Sequence, residues 1–226
     1  MPLRQPTIVC SVSPALTAAF TRTVSPERWR TYLRAAGFKE ELAHRLYVWN
    51  AVVGQSFHFP LQALEVALRN VVHQAISAVH GADWPTDQAC RNMLRPKQVD
   101  DITKAERRHY SISHQVATTP QIVASLSLGF WVAMLRRDYN RAIWSTQAAS
   151  AFPHLPQNMT IAHVSRTATQ VQDLRNRIFH QEPLIGHNLT QDYGNITKMM
   201  GWICPETRDW MKHHSSTPSV IRERPR

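Results

Sequence analysis

Leu61, Leu64, Leu68, Val71, Val72 and Ala75 recur at steps of three and four. A helix puts residues so spaced on one face, so this stretch, ending near Gly81, reads as a helix with one buried side. The same stepping appears elsewhere. Leu42, Leu46, Trp49 and Val53 make one further stripe. Ile161, Val164, Ala168, Val171, Leu174 and Ile178 make another, on a long helix from about 159 to 181. Strand-like alternation never lasts beyond a few residues. Glycine occurs only 7 times in 226 residues, too rarely for a turn-rich β fold. The fold class expected is all-α, a bundle of antiparallel helices.

Punctuation residues divide the bundle. Ser25-Pro26-Glu27 combines a cap, a first-turn proline and an acid, and Gly37 stops the helix that follows. Gly54 and Pro60 predict a break or kink between two helical stretches. Shorter helices are expected over 87–94, 97–112 and 120–126. One that opens at Ser127 carries Trp131, Leu135, Tyr139, Ile143 and Trp144. Phe152-Pro153 and Leu155-Pro156 form a connector before the long helix, and helices over 195–203 and 205–212 follow it. Residues 1–24 read as a loosely ordered leader, 25–212 as the helical domain, and 213–226 as a flexible basic tail.

The formal charge is +10 and the isoelectric point about 10.2. An excess of cations this large favours polyanions, because neutralised phosphates release counterions. Cys10, Cys90 and Cys204 are odd in number and far apart, which fits a reducing cytoplasm and neither a disulfide framework nor a paired metal site. No run of 18 apolar residues exists, so no spanning helix and no membrane partner is expected. His213-His214 near Cys204 fits no common metal spacing, and no metal or cofactor is expected.

Chemistry concentrates at Arg175-Asn176-Arg177-Ile178-Phe179-His180. At about 100° per residue, Arg175 falls inside the apolar stripe of its helix, between Val171 and Ile178. A guanidinium there either meets an acid inside the bundle, with Glu65 the first candidate, or lines a polar cleft. Asn176 and His180 are four apart and share a face. Pro183 disfavours helical geometry at Glu182, so the helix ends near His180 and leaves its imidazole room to turn toward Arg175. A His beside an Arg suits phosphodiester chemistry. The imidazole moves protons near neutral pH, and the guanidinium holds a phosphate. With the 2′-hydroxyl of RNA as internal nucleophile no metal is needed. Glu65, Arg69 and His73 form a polar ridge that either braces Arg175 or is simply solvated, and Asn70 lies further round. Arg177 faces away from the stripe, toward RNA backbone or plain solvent. The seven Trp residues read mainly as core, with Trp131 the one to watch.

The segment Leu174-Arg175-Asn176-Arg177-Ile178-Phe179-His180 with Glu182-Pro183-Leu184 resembles the signature of Abi-like proteins, the abortive-infection family within the HEPN superfamily of helical ribonucleases and RNA-binding domains. Leu64-Glu65-Val66-Ala67-Leu68-Arg69-Asn70 resembles a second family motif, Leu126 to Trp131 a third, and Trp49-Asn50 fits as well. The similarity spans about 27–212. It departs at Gln181, where a second His is frequent, and at Leu128, where Phe is usual. It implies a HEPN-type bundle with additional helices and a homodimer whose Arg and His meet at a shared cleft. It also implies a metal-independent endoribonuclease used in phage defence or as a toxin. Carried over by position, Arg175, Asn176 and His180 are catalytic, with Glu65, Arg69, Asn70 and Arg177 supporting or binding RNA. An antitoxin or regulatory partner is a further expectation. The competing reading is a non-catalytic helical module that binds RNA or a protein and uses Arg175 structurally.

Overall fold

A computed structural model describes residues 12–226, and every described element is helical. The chain runs through α1 (Pro14–Val24), α2 (Pro26–Ala35), α3 (Glu40–His80), α4 (Gln88–Met93), α5 (Pro96–Ser113), α6 (Thr119–Ser125) and α7 (Leu128–Met134). It continues through a 3₁₀ turn, Arg137–Tyr139, and a π turn, Asn140–Trp144, into α8 (Ser145–Ala151). The last elements are α9 (Ile161–Phe179), α10 (Leu189–Ile203), α11 (Pro205–His214) and α12 (Thr217–Arg222). Among the described residues no helix is long and apolar enough to cross a membrane.

The spine is α3, 41 residues and so about 60 Å long. Leu46, Trp49, Val53, Phe57, Leu61, Leu64, Leu68 and Val72 are buried along one side of it. Those steps of three and four form the stripe on which α2, α7, α8, α9, α10, α11 and α12 pack. Its C-terminus comes at Gly81, whose φ of 87° only glycine adopts without strain. Six of the seven tryptophans are buried, Trp131 completely, so that residue belongs to the core.

The break expected between Gly54 and Pro60 is absent, for α3 passes through both. Pro60 has no N–H, which frees the carbonyl of Ser56 one turn earlier. The hydroxyl of Thr217, on α12, donates to that carbonyl at 2.8 Å. The indole of Trp49 donates in turn to the Val220 carbonyl at 2.8 Å. These two bonds correct the expectation for the tail, because α12 is a helix docked on α3. Composition misled: Pro218 falls in the first turn of α12, where a missing N–H costs nothing. Thr217 is fully buried, so Thr217→Val leaves the Ser56 carbonyl unpaired at nearly unchanged volume. The expected cost is about 1–3 kcal/mol in chemical denaturation.

The leader expectation also changes. Residues 1–11 lie outside the described residues, but 14–24 form α1, capped by the Ser13 side chain at Leu16 N. Phe20 of α1 packs edge-on against Trp29 and Tyr47, with centroids 5.1 and 4.8 Å away. The single helix expected after Ser127 is divided. Leu135 and the residues after it leave α-geometry, and the indole of Trp144 donates to the Met134 carbonyl freed at the end of α7 (2.7 Å). Tyr139, buried beside it, hydrogen-bonds Gln98 at 3.3 Å and accepts from the Arg95 amide at 3.2 Å.

Candidate functional site

The C-terminus of α9 is closed by backbone geometry as well as by Pro183. Gln181 takes a left-handed φ of 59°. Its amide donates to the Ile178 carbonyl at 3.1 Å, and the Glu182 amide reaches back to Arg177 at 2.9 Å. This pair of bonds is a Schellman turn, usually built with Gly at the left-handed position. Arg177 then pairs with Glu182 at 2.8 Å on the outer side of the turn. This ion pair closes the helix end, and the Arg177 side chain remains 42% exposed.

Two long-range bonds hold the segment after the turn. Arg28, from α2, donates its guanidinium to the Gln181 carbonyl. Asn50, from α3, accepts from the Leu184 amide at 2.6 Å. Sequence reasoning assigned neither residue a role here. Asn50 carried a signal, a polar amide beside the apolar stripe Leu46–Trp49–Val53, and it is indeed buried. Arg28 carried none, since an Arg in the first turn of a surface helix is unremarkable.

Arg175 sits half-buried, as its place in the stripe requires. Its guanidinium lies over the ring of Phe179, one turn on, 4.0 Å from the centroid. The Nε atom is shielded from solvent with no hydrogen-bond partner. Among the described residues Arg175 forms no ion pair, with Glu65 or any other acid. The internal salt bridge to Glu65 is therefore replaced by a cation stacked on an aromatic ring at the end of the helix. His180 caps α9 and is exposed, with its amide on the Asn176 carbonyl at 2.8 Å. The Asn176 side chain is half-buried and makes no hydrogen bond to His180, so it does not orient the imidazole within one chain.

The remaining candidates lie along α3. Glu65 and Arg69 are half-buried, Asn70 is exposed, and among the described residues none forms an ion pair or side-chain hydrogen bond. His73, the last residue of that ridge, has a structural task. Its Nδ1 accepts from the Trp84 indole at 2.9 Å, and burial pushes its pKa down, so the ring stays neutral. Gly129, in the third quoted segment, lies where α7 crosses α9. A Cβ there would come 3.0 Å from Nε2 of Gln172. Thus the second and third segments ride on α3 and α7, both packed on the helix that carries Arg175.

Beside the closed end of α9 lies a groove of about 360 Å³. Its walls come from α2, α3, the last turn of α9 and the 181–184 segment, and include Phe179, His58, Gln55 and Tyr47. Phe179, the last residue of α9, is 51% exposed even with the Arg175 guanidinium over its ring. The chemistry available is a cation with no counter-charge among the described residues, an exposed imidazole on His180 between the groove-lining Phe179 and Gln181, and amide and aromatic groups around an open slot. Among the described residues no group of three His, Cys, Asp or Glu side chains gathers as a metal site. No protein-family model, curated protein or solved structure matches the chain.

Proposed function

We propose that this protein is a metal-independent endoribonuclease of the HEPN type, acting as a homodimer in phage defence or growth arrest. The observation that carries the reading is Arg175: a half-buried guanidinium with a shielded, unpartnered Nε and no carboxylate. A buried unpaired N–H costs about 1–3 kcal/mol, and a phosphate oxygen would satisfy both the hydrogen bond and the charge. The exposed imidazole of His180, five residues on, supplies proton transfer. The basic charge of +10 brings polyanions to the surface. The packing of the three motif-bearing helices on one another gives further support.

In this reaction the 2′-oxygen of RNA attacks the adjacent phosphorus and its proton passes to an imidazole. The bond from phosphorus to the 5′-oxygen breaks, and that oxygen takes a proton. The products are a 2′,3′-cyclic phosphate and a 5′-hydroxyl. Arg175 neutralises charge growing on the phosphoryl oxygens. A two-fold axis through the cleft brings two copies of His180 together, one to accept and one to donate. Asn176, unbonded within one chain, orients the partner's imidazole or the substrate across that axis. A dimer of this kind works in the cytoplasm, restrained by an antitoxin or a regulatory partner.

Incubation of purified protein with mixed RNA in excess EDTA tests the reading. Cleavage is expected, and RNA left intact by a correctly folded dimer overturns it. A non-catalytic RNA- or protein-binding module is the second reading. The Arg175–Phe179 stack favours it, since a purely structural cation would be held in that way. It requires RNA to be bound and never cut.

A further inference from the structure

Two aromatic rings line the groove beside α9. Those of Phe179 and His58 have centroids 6.5 Å apart and planes inclined by 31°. A flat ring inserted between two others needs two van der Waals separations, about 7 Å in all. His58 is exposed and its side chain makes no hydrogen bond among the described residues, so a small rotation of it opens the slot to that width. The amide of Gln55, an exposed residue, also lines the groove. Phe179 lines the groove and Arg175 does not, although its guanidinium lies 4.0 Å from the centroid of that ring.

We infer that this slot is a nucleobase subsite: the base of a nucleotide next to the scissile phosphate stacks between Phe179 and His58. The inference rests on the ribonuclease reading only for the word scissile. An RNA base is favoured over an apolar side chain because the slot joins two ring faces to hydrogen-bonding groups. Aromatic stacking also binds any base, whereas edge contacts to Gln55 select among them. Phe179 thereby links two functions, touching the phosphate clamp and lining the base subsite.

The test is calorimetric titration of the full-length protein with 3′-AMP, 3′-GMP, 3′-CMP and 3′-UMP, and with ribose 3-phosphate as the base-free probe. At least one nucleotide should bind more tightly than ribose 3-phosphate. His58→Ala should weaken that nucleotide roughly tenfold while leaving ribose 3-phosphate unchanged, and His58→Phe should restore the stack. Equal affinity for nucleotide and ribose 3-phosphate, or an unchanged nucleotide affinity in His58→Ala, overturns the inference. Nucleotide binding in a protein that never cuts RNA leaves the subsite standing and removes the ribonuclease reading. RNA cleavage without nucleotide binding removes the subsite alone.

Discussion

His180→Ala should lower RNA cleavage by about 10²–10⁴-fold, the usual contribution of a positioned proton-transfer group, and leave the melting temperature unchanged. The separation between the two readouts follows from the structure. The imidazole is exposed, its side chain makes no hydrogen bond, and only its backbone belongs to the helix cap. Removing it therefore costs no packing. Arg175→Ala should behave differently, losing cleavage and some stability together, because its guanidinium covers Phe179 in a contact worth about 0.5–2 kcal/mol. The binding-module reading predicts another pattern: Arg175→Ala destabilises, and His180→Ala alters nothing at all. Cleavage rates and melting curves for the two variants, measured side by side, distinguish the accounts.

The second large effect is expected at Asn50. Its Oδ1 is the acceptor for the Leu184 amide, and both residues are buried. Asn50→Leu keeps the volume and removes the acceptor, leaving a buried N–H unpaired at a cost of about 1–3 kcal/mol. For a chain of this size that lowers the melting temperature by roughly 5 °C. The loss is local as well. The Leu184 amide should exchange with solvent much faster, and the 181–184 segment, which walls the groove, should loosen. Cleavage falls with it if that segment sets the position of His180. A melting temperature and Leu184 exchange rate matching wild type would show that the Asn50 bond does not hold the segment.

The helical class was legible because burial leaves a period. The stripe from Leu61 to Ala75 and the one from Ile161 to Ile178 both survive as core-facing sides of α3 and α9, with Val71 and Ile178 partly buried. Gly37 and Gly81 marked real helix ends, each with a positive φ. The errors share a cause, which is that local rules do not see a partner from far along the chain. Pro60 breaks a helix when the carbonyl it frees has nothing to bond, and here Thr217, 161 residues beyond Ser56, supplies the donor. The same contact turned a tail that looked flexible into α12. The division of the helix after Ser127 likewise depends on Trp144 folding back onto Met134.

The site divided along the same line. The inward position of Arg175 and the helix end at His180 were legible, since both follow from spacing and from Pro183. The neighbour assigned to Arg175 was not. Glu65 lies on α3 without meeting it, and the ring it does meet was one turn away, in the same segment. Asn50, Arg28 and His58 reach the end of α9 from other helices, and no spacing rule joins residues 28, 50 and 58 to residue 179. Gln181 was noted as a departure from a family pattern. Its conformational task, a left-handed turn that a β-branched residue would resist, appears only in the backbone.

The central claim is that Arg175 and His180 cut RNA by 2′-oxygen attack without a metal. Its most direct test is the chemistry of the ends left when purified protein digests RNA in excess EDTA. The account predicts 5′-hydroxyl fragments whose 3′ ends carry a 2′,3′-cyclic phosphate, made by wild type and absent from His180→Ala digests. Fragments with 5′-phosphates and free 3′-hydroxyls, or cyclic phosphate ends formed equally by His180→Ala, would contradict it.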